Sequence, residues 1–542
     1  MKKTIFILIQ TSVLAQQVGF IDYDWGGQLG YLTQDGILVW NKDWESNNIL
    51  FDGTWTNYPR MYGSKIEEGY YSENKIPEFN DSLKIRSNFM YDQGDYLLDR
   101  FSFNADYNGN GRIFNFYGFK RSYGGTYNQY SNDTNQPIQQ SYISSYKSLN
   151  KGKFQYITLA HFNTFSGLAD SISNGLLDNR ITSFNFGREG HIGELYSTLK
   201  VNQFLQRYRT IHSLAKYQSV RYLTRTRFSI KLDYKTKSEV NFSSTIELNQ
   251  RNIKFDSFYS IYWHRWIIST DWNSYTFKLS FIGNDQQYHP EMFLGFNKQF
   301  NKLYLNIYYQ NRVNPDHIYF RVFDNKYDFV QKSIIFSDIR LIGKRNEISF
   351  YSTIINYQDD GGLNILNSPF ISNHDNNESI DNHMSFGLNI SSIMIPKIKL
   401  DFYYGHQLIK NYLSDGIADK VRFSTYTDLK VFDGFMDLKG ALTLNGLLNR
   451  DQTYILDPVE LIPLESNLIS NSNRINLDNI WFINTSITAQ VSTFIIKYEW
   501  FNLSEIILGA IGSKSNNFFK IHPSMPDLGR QMNLSVQWNF KD

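Results

Sequence analysis

The chain of 542 residues has no cysteine, only 11 prolines and no long apolar run after its N-terminus. Without cysteine it can form no disulfide framework, thiolate metal site or cysteine nucleophile. No later stretch approaches the roughly 18 apolar residues that a membrane-spanning helix needs. The net charge of +2 comes without a basic tract, so nothing indicates nucleic acid as a partner.

Aromatic residues are abundant instead. They make up 17% of the chain, with 38 Tyr and 42 Phe, and they are mixed with Asn, Ser, Thr and Gly. This composition is typical of a long series of β-strands joined by polar turns. No linker divides the chain, although its length would suit several ordinary domains.

The N-terminus has the order of an export signal. Lys2 and Lys3 precede an apolar run over 4–14, and Val13 and Ala15 occupy the small-residue positions before Gln16. We therefore predict a signal peptide over 1–15, cut after Ala15.

Strict alternation of apolar and polar residues recurs from residue 83 to the end. At the C-terminus, Met532, Leu534, Val536, Trp538 and Phe540 alternate with polar residues, and the same pattern occurs over 228–234, 275–281, 303–309 and 398–404. A soluble β-sandwich also alternates. One uninterrupted series of strands of about 10 residues matches membrane-spanning strands better.

The connections between these strands alternate in length. Short turns are expected at 108–110, 301, 396 and 433–434. Long polar loops are expected at 121–137, 163–179, 312–330, 358–382, 409–420, 447–480 and 504–529. Periplasmic turns and extracellular loops alternate in this way. We predict an all-β fold over 83–542, a transmembrane antiparallel up-and-down barrel of about 22 strands (range 16–22), closed by strand 531–540.

Aromatic residues near the strand ends indicate interface girdles, although packing in a sandwich would also produce such clusters. They are Tyr262, Trp263, Trp266, Trp481, Trp500 and Trp538.

The last 60 or so residues resemble the C-terminal end of TonB-dependent receptor barrels. The matching elements are a hairpin over 483–503, His522-Pro523, and a barrel-closing segment formed by Gly529, Arg530, Met532, Leu534, Val536, Trp538 and Phe540. Only 16–82 precede the barrel, which is too short for the plug of such receptors, and no energy-coupling box is visible there. The chain therefore resembles the plugless putative porins. This resemblance implies the outer membrane of a diderm bacterium, with outer-membrane lipid and the barrel assembly machinery as partners.

The N-terminal segment 16–82 is rich in aromatic residues, including Trp25, Trp40, Trp44 and Trp55. A barrel of about 22 strands encloses a wide lumen unless something fills it. Two interpretations stay open: the segment constricts the lumen, or it forms a periplasmic arm or additional strands.

Charged residues on the polar phase of the strands are the candidate site residues, because charges that line a pore set its selectivity. They are Arg225, Arg227, Lys231, Asp233, Glu247, Lys278, Lys399, Asp401, Lys439, Lys497 and Glu499. Both signs are present, so no strong ion preference follows. The alternative is that these side chains hydrate the wall or pair across strands.

The sequence shows no catalytic or metal motif. His161, His191, His212 and His264 are scattered on or beside strands, without the HExxH spacing of a zinc site. Asp375, Glu378 and Asp381 supply oxygen ligands in one loop, but they lack the EF-hand order, and a hydrated loop is the simpler interpretation. We expect no enzymatic activity, no cofactor and no bound metal.

The leading hypothesis is a channel that passes an unknown small solute across the outer membrane. The alternatives are a barrel without transport activity, serving as a structural or secretion-apparatus component, and a receptor barrel whose plug is supplied by another chain.

Overall fold

The computed structural model describes residues 78–79, 83–95, 98–122, 138–167, 175–212, 220–254, 258–285, 287–315, 329–358, 382–395, 397–408, 417–452, 454–456, 463–465, 475–504 and 530–541. The predicted signal peptide 1–15 lies outside these residues. Of the predicted segment 16–82, only Glu78 and Phe79 are described.

The described residues form strands of alternating direction. In chain order they are β1 (Lys84–Gly94), β2 (Leu98–Gly109), β3 (Arg112–Ser122), β4 (Ile138–Asn150), β5 (Lys153–Gly167), β6 (Gly175–Ile192), β7 (Leu195–His212), β8 (Val220–Lys235), β9 (Asn241–Lys254), β10 (Phe258–Trp272), β11 (Tyr275–Gly283), β12 (Tyr288–Phe300), β13 (Leu303–Pro315), β14 (Phe329–Ile342), β15 (Asn346–Gln358), β16 (Asn382–Ile395), β17 (Ile398–Gln407), β18 (Ile417–Val431), β19 (Met436–Gln452), β20 (Tyr454–Leu456), β21 (Pro463–Glu465), β22 (Ile475–Leu477), β23 (Ile480–Val491), β24 (Phe494–Phe501) and β25 (Gln531–Lys541).

Twenty-two of these strands close into one antiparallel barrel. Strands β1 to β19 pair in order, β19 then pairs with β23, and β25 returns to pair with β1. Of the three short strands, β22 adds to the end of β19, while β20 and β21 pair only with each other. The predicted all-β, up-and-down barrel of 22 strands is thus confirmed, and strand 531–540 does close it.

The seam between β1 and β25 is held by backbone and side chain together. Nine register pairs run from Arg86 opposite Lys541 to Gly94 opposite Asn533. Beyond them, the N–H of Asp95 donates to the carbonyl of Met532, and the N–H of Met532 donates to the Asp95 carboxylate, both at 2.9 Å. A Cβ on Gly94 would lie 2.3 Å from the Met532 carbonyl oxygen, so the close approach at this point requires glycine.

Ten hairpins with turns of two to five residues lie at one end of the barrel, which we call the turn end. Several are two-residue turns whose first residue has positive φ, and two of them have positive φ at both residues, as type I′ hairpins require. Asn110 and Gly111 have φ of 53° and 68°, and Lys151 and Gly152 have 50° and 73°. The turn predicted at 108–110 is therefore displaced, since β2 continues to Gly109.

The opposite end, the loop end, differs from the predicted rhythm of connections. Strands continue into the predicted loops: β5 reaches Gly167, β6 begins at Gly175 and β19 reaches Gln452. The connections at 95–97, 255–257 and 284–287 are as short as turns. Strands β6 and β7 have 18 residues each. Such a strand is about 60 Å long, so the wall rises well above an apolar band of about 25 Å.

The outer wall is apolar because one phase of each strand points away from the lumen. Phe89, Phe101, Phe114 and Ile157 are large apolar side chains that are exposed on this face. In water such a surface would promote aggregation, whereas in a bilayer it contacts lipid. None of the described residues forms a helix long and apolar enough to cross a membrane.

Five of the six predicted girdle residues lie on the outer phase, among them Tyr262, Trp266 and Trp538. Trp263 is the exception, and its prediction was wrong. It follows Tyr262 directly in β10, so it points to the opposite face, where it packs with Ile261, Ile282 and Val313.

Aromatic rings lie across glycines of neighbouring strands on the inner wall. Tyr351 on β15 faces Gly387 on β16, which faces Gly405 on β17. A Cβ on Gly387 would lie 2.1 Å from the Tyr351 ring. The glycine therefore provides the space in which this ring lies flat against the wall.

Replacing Gly387 by valine should destabilise the barrel by about 1–3 kcal/mol, because the added atoms overlap the Tyr351 ring. The measurement is the temperature at which the barrel loses its fast migration in detergent gels. The double variant Gly387→Val, Tyr351→Ala removes the ring and should recover part of the loss. Equal instability of the single and double variants would show that the ring is not the obstacle.

Candidate functional site

The inner wall of the barrel is the candidate site, and the strand register shows which side chains line it. Glu247 on β9 lies between Ser229 on β8 and Arg265 on β10, and the other phase of the same strands carries exposed residues such as Ile230 and Ile246. When the register pairs are traced from strand to strand around the barrel, ten of the predicted residues lie on the inner face. They are Arg227, Lys231, Asp233, Glu247, Lys278, Lys399, Asp401, Lys439, Lys497 and Glu499.

Arg225 has the same register phase, since it lies opposite Phe204 and Arg251, but its side chain lies outside the described structure. The loop with Asp375, Glu378 and Asp381, and residue Gly529 of the closing segment, are also outside the described residues.

Six of the ten predicted inner-wall charges form three pairs, each between residues two positions apart on the same strand. Lys231 and Asp233 are 3.1 Å apart, and Lys399 and Asp401 are 3.0 Å apart. Lys497 and Glu499 form a third pair of this kind. Residues two apart on a strand share a face, so each pair is close to neutral when seen from the lumen. The charges therefore do not form a ring of one sign.

A longer chain of alternating charge crosses β8 to β12. Arg227 pairs with Glu247, whose second oxygen is 4.0 Å from Arg265. Arg265 then contacts Glu291, with Nε 3.1 Å from Oε2 and Nη2 donating to Oε1 at 3.2 Å. Glu291 also accepts from Ser280 Oγ at 2.6 Å and from the Val313 N–H at 3.0 Å. These charges stabilise one another and link strands β8, β9, β10 and β12 through their side chains.

Replacing Glu291 by leucine should lower the free energy of unfolding by about 3 kcal/mol, because it removes the main partner of the buried Arg265. The double variant Arg265→Met, Glu291→Leu removes both charges, and Glu247 keeps Arg227 as its partner. It should be more stable than the single variant. Urea unfolding from lipid vesicles, followed by tryptophan fluorescence, measures both. A double variant that is less stable than the single one would contradict this account.

Strands β2 to β7 line the lumen with a row of small polar side chains, which we call the polar row. Its members lie directly opposite one another on successive strands: Asp106, Asn115, Ser145, Thr158, Asn185 and Asn202. Asn115 donates to Asp106 at 2.6 Å, and Asn202 donates to Asn185 at 2.8 Å. A polar interior of this kind is usual where a barrel holds water.

Strands β12 to β14 line the lumen differently, with three stacked aromatic rings that we call the aromatic ladder. The ring centroids of Phe293 and Tyr308 are 5.5 Å apart with an interplanar angle of 27°, and those of Tyr308 and Phe336 are 4.9 Å apart at 25°. The ammonium of Lys278 lies 5.2 Å from the Phe293 ring centroid. The alternation had indicated only a polar phase here, so sequence analysis missed these rings.

The aromatic wall continues beyond the ladder. Tyr351 and Tyr403 stack with an interplanar angle of 8° and are joined by a hydrogen bond between their hydroxyls. The guanidinium of Arg422 lies 5.9 Å from the Tyr403 ring. Both tyrosines are buried, whereas the rings of the ladder are partly exposed.

Glu78 and Phe79 lie on the inner side of the barrel at the turn end. Phe79, just before β1, packs edge to face on Phe154, an inner-wall residue at the start of β5, with centroids 6.2 Å apart. The Asn108 side chain donates to the carbonyl of Glu78 at 3.1 Å. Glu78 and Phe79 therefore lie at the mouth of the lumen, against its inner wall.

The histidines are dispersed on the wall. His161 bonds Thr182 at 2.9 Å, His191 packs on Tyr196, and His264 packs on Tyr288. The side chain of His212 is not among those described. Within the described ranges, no group of three or more His, Asp or Glu residues could hold a metal ion.

Solved structures show the same fold. The siderophore receptor PirA from Acinetobacter baumannii superposes with a TM-score of 0.64 and 10% identity, over 86% of this chain and 81% of that one. A variant of the ferric enterobactin receptor PfeA from Pseudomonas aeruginosa gives 0.61 and 9%, over 85% and 82%. FpvA from P. aeruginosa, bound to a heterologous pyoverdine, gives 0.57 and 10%, over 86% and 72%. No protein-family model and no curated protein matches the sequence.

The architecture is accordingly that of a large transmembrane β-barrel, and its barrel is similar to those of outer-membrane siderophore receptors, as the C-terminal resemblance implied. At this identity the likeness concerns the fold.

Proposed function

We propose that the protein is an outer-membrane channel that passes solutes through its lumen. The observation that carries the proposal is the closed barrel of 22 strands with an apolar outer face and an inner face of polar, charged and aromatic side chains. A barrel of this size encloses a space much larger than its own side chains can fill. Its export would use the N-terminal signal, and its passage of solutes would need no catalytic residue.

The paired charges of the inner wall support a weakly selective channel. Selectivity for one sign needs an excess of the other sign at the lining. Here Lys231, Lys399 and Lys497 each lie beside a carboxylate, so the wall presents dipoles. Solutes would then be distinguished by size and by contact with the wall.

The purified full-length chain in a planar lipid bilayer should give steady ionic currents with little preference between small cations and anions. Conductance and reversal potential in a salt gradient measure both properties. The currents should be independent of added energy-coupling proteins. A silent barrel that co-purifies with other proteins would contradict the channel and support a structural or secretion-apparatus role.

A receptor barrel whose plug comes from another chain is a second candidate, supported by the likeness to the siderophore receptor barrels. Its barrel, assayed alone, would conduct as an unusually wide pore. Loss of that current on adding periplasmic extract would favour this candidate over the open channel.

Deletion of 20–75 should raise the single-channel conductance if the N-terminal segment constricts the lumen. The contact of Phe79 with Phe154 supports this proposal, because Phe79 lies near the C-terminal end of the segment and packs on the inner wall at the lumen mouth. The deletion keeps Phe79 and the whole barrel. Unchanged conductance would contradict the constriction and favour the periplasmic arm.

A further inference from the structure

The aromatic ladder depends on a glycine. Tyr308 lies opposite Gly295 on β12, and Phe293 is two residues from that glycine on the same face. A Cβ on Gly295 would lie 2.8 Å from the Phe293 ring. The ring therefore leans over Gly295 and meets Tyr308, which lies directly opposite Phe336 on β14. The ladder therefore depends on Gly295 and on the register of three neighbouring strands, β12 to β14.

The direction in which the rings stack determines which part of each ring faces the lumen. The rings stack from strand to strand, so their faces point at each other along the wall, and their edges point into the lumen. The edge of an aromatic ring carries the positive part of its quadrupole. Lys278, an exposed inner-wall residue, adds a full positive charge at the Phe293 end. The combined surface is apolar in its atoms and positive in its potential.

We propose that the aromatic ladder and Lys278 form a binding strip for planar aromatic anions that pass through the lumen. This inference rests on the proposed channel function and names a class of solute for it. The electron-rich face of such a solute packs against the ring edges in the edge-to-face geometry that aromatic pairs prefer. Its anionic group pairs with Lys278. Sugars would need exposed ring faces to stack on, and the ladder uses those faces internally.

The test uses the full-length protein in planar bilayers with 4-hydroxybenzoate as the probe. The wild type should show current block that increases with probe concentration. Lys278→Gln and Tyr308→Leu should each weaken the apparent affinity by about three- to ten-fold. Lys439→Gln removes an inner-wall lysine on β19, and Phe277→Leu changes the outward residue next to Lys278. Both controls should bind the probe like the wild type.

Each outcome decides the proposal. A conducting channel without block, or with equal block in all variants, would overturn the binding strip and leave the channel function standing. Stronger block by maltotriose than by 4-hydroxybenzoate would overturn it in favour of a saccharide strip. If no variant conducts, the channel function fails, and equilibrium dialysis of the detergent-solubilised protein with labelled 4-hydroxybenzoate tests the strip independently. In that assay, binding lost in Lys278→Gln and kept in Lys439→Gln supports it, and no binding overturns it.

Discussion

Backbone hydrogen bonding in hydrocarbon is the constraint on which this structure depends. A peptide N–H or C=O facing lipid has no water to bond, so a sheet in a membrane must have no free edge. The chain meets this condition by pairing β25 with β1, with Asp95 and Met532 extending the ladder beyond the last register pair. In the closed barrel, one face of every strand points toward lipid and the other points toward the lumen.

The lumen surface carries ionisable side chains, some of them exposed and others buried in the wall. Pairs two residues apart on one strand, and the chain from Arg227 to Glu291, neutralise charge locally. The main effect of the chain is on the wall itself, because Glu247, Arg265 and Glu291 are buried and a buried charge is tolerated only beside a partner. Candidate contacts with solutes therefore lie where the wall departs from paired charges.

Two parts of the inner wall differ in the side chains that they present to the lumen. The polar row on β2 to β7 offers amides and hydroxyls, while β12 to β17 offer aromatic rings with cations beside them. Glycines at positions 295, 387 and 405 make the aromatic part possible, because each leaves room for a ring against the backbone. The inner wall is thus patterned around its circumference as well as along each strand.

The alternation of residues such as Met532 to Phe540 was enough to predict the barrel, its strand number and its closing strand, because side-chain direction in a strand is a local property with a period of two. The same rule placed all eleven predicted charged residues on the inner phase of their strands. The rule also places Tyr262 and Trp263 on opposite faces of β10. Trp263 was assigned to the wrong face because the two residues were grouped by their proximity in sequence. Turn positions shifted by a residue or two, since strand ends depend on pairing with a neighbour.

What only the tertiary structure decided is which distant residues share a surface. The partners of Lys278, Phe293, Tyr308 and Phe336 are set by the register between the consecutive strands β11 to β14. The lean of Phe293 over Gly295 depends on that register as well. Sequence periodicity by itself determined that these side chains point inward. Their assembly into a stacked ladder beside a lysine was decided by the pairing of β11 to β14, because the register of the paired strands places these side chains next to one another.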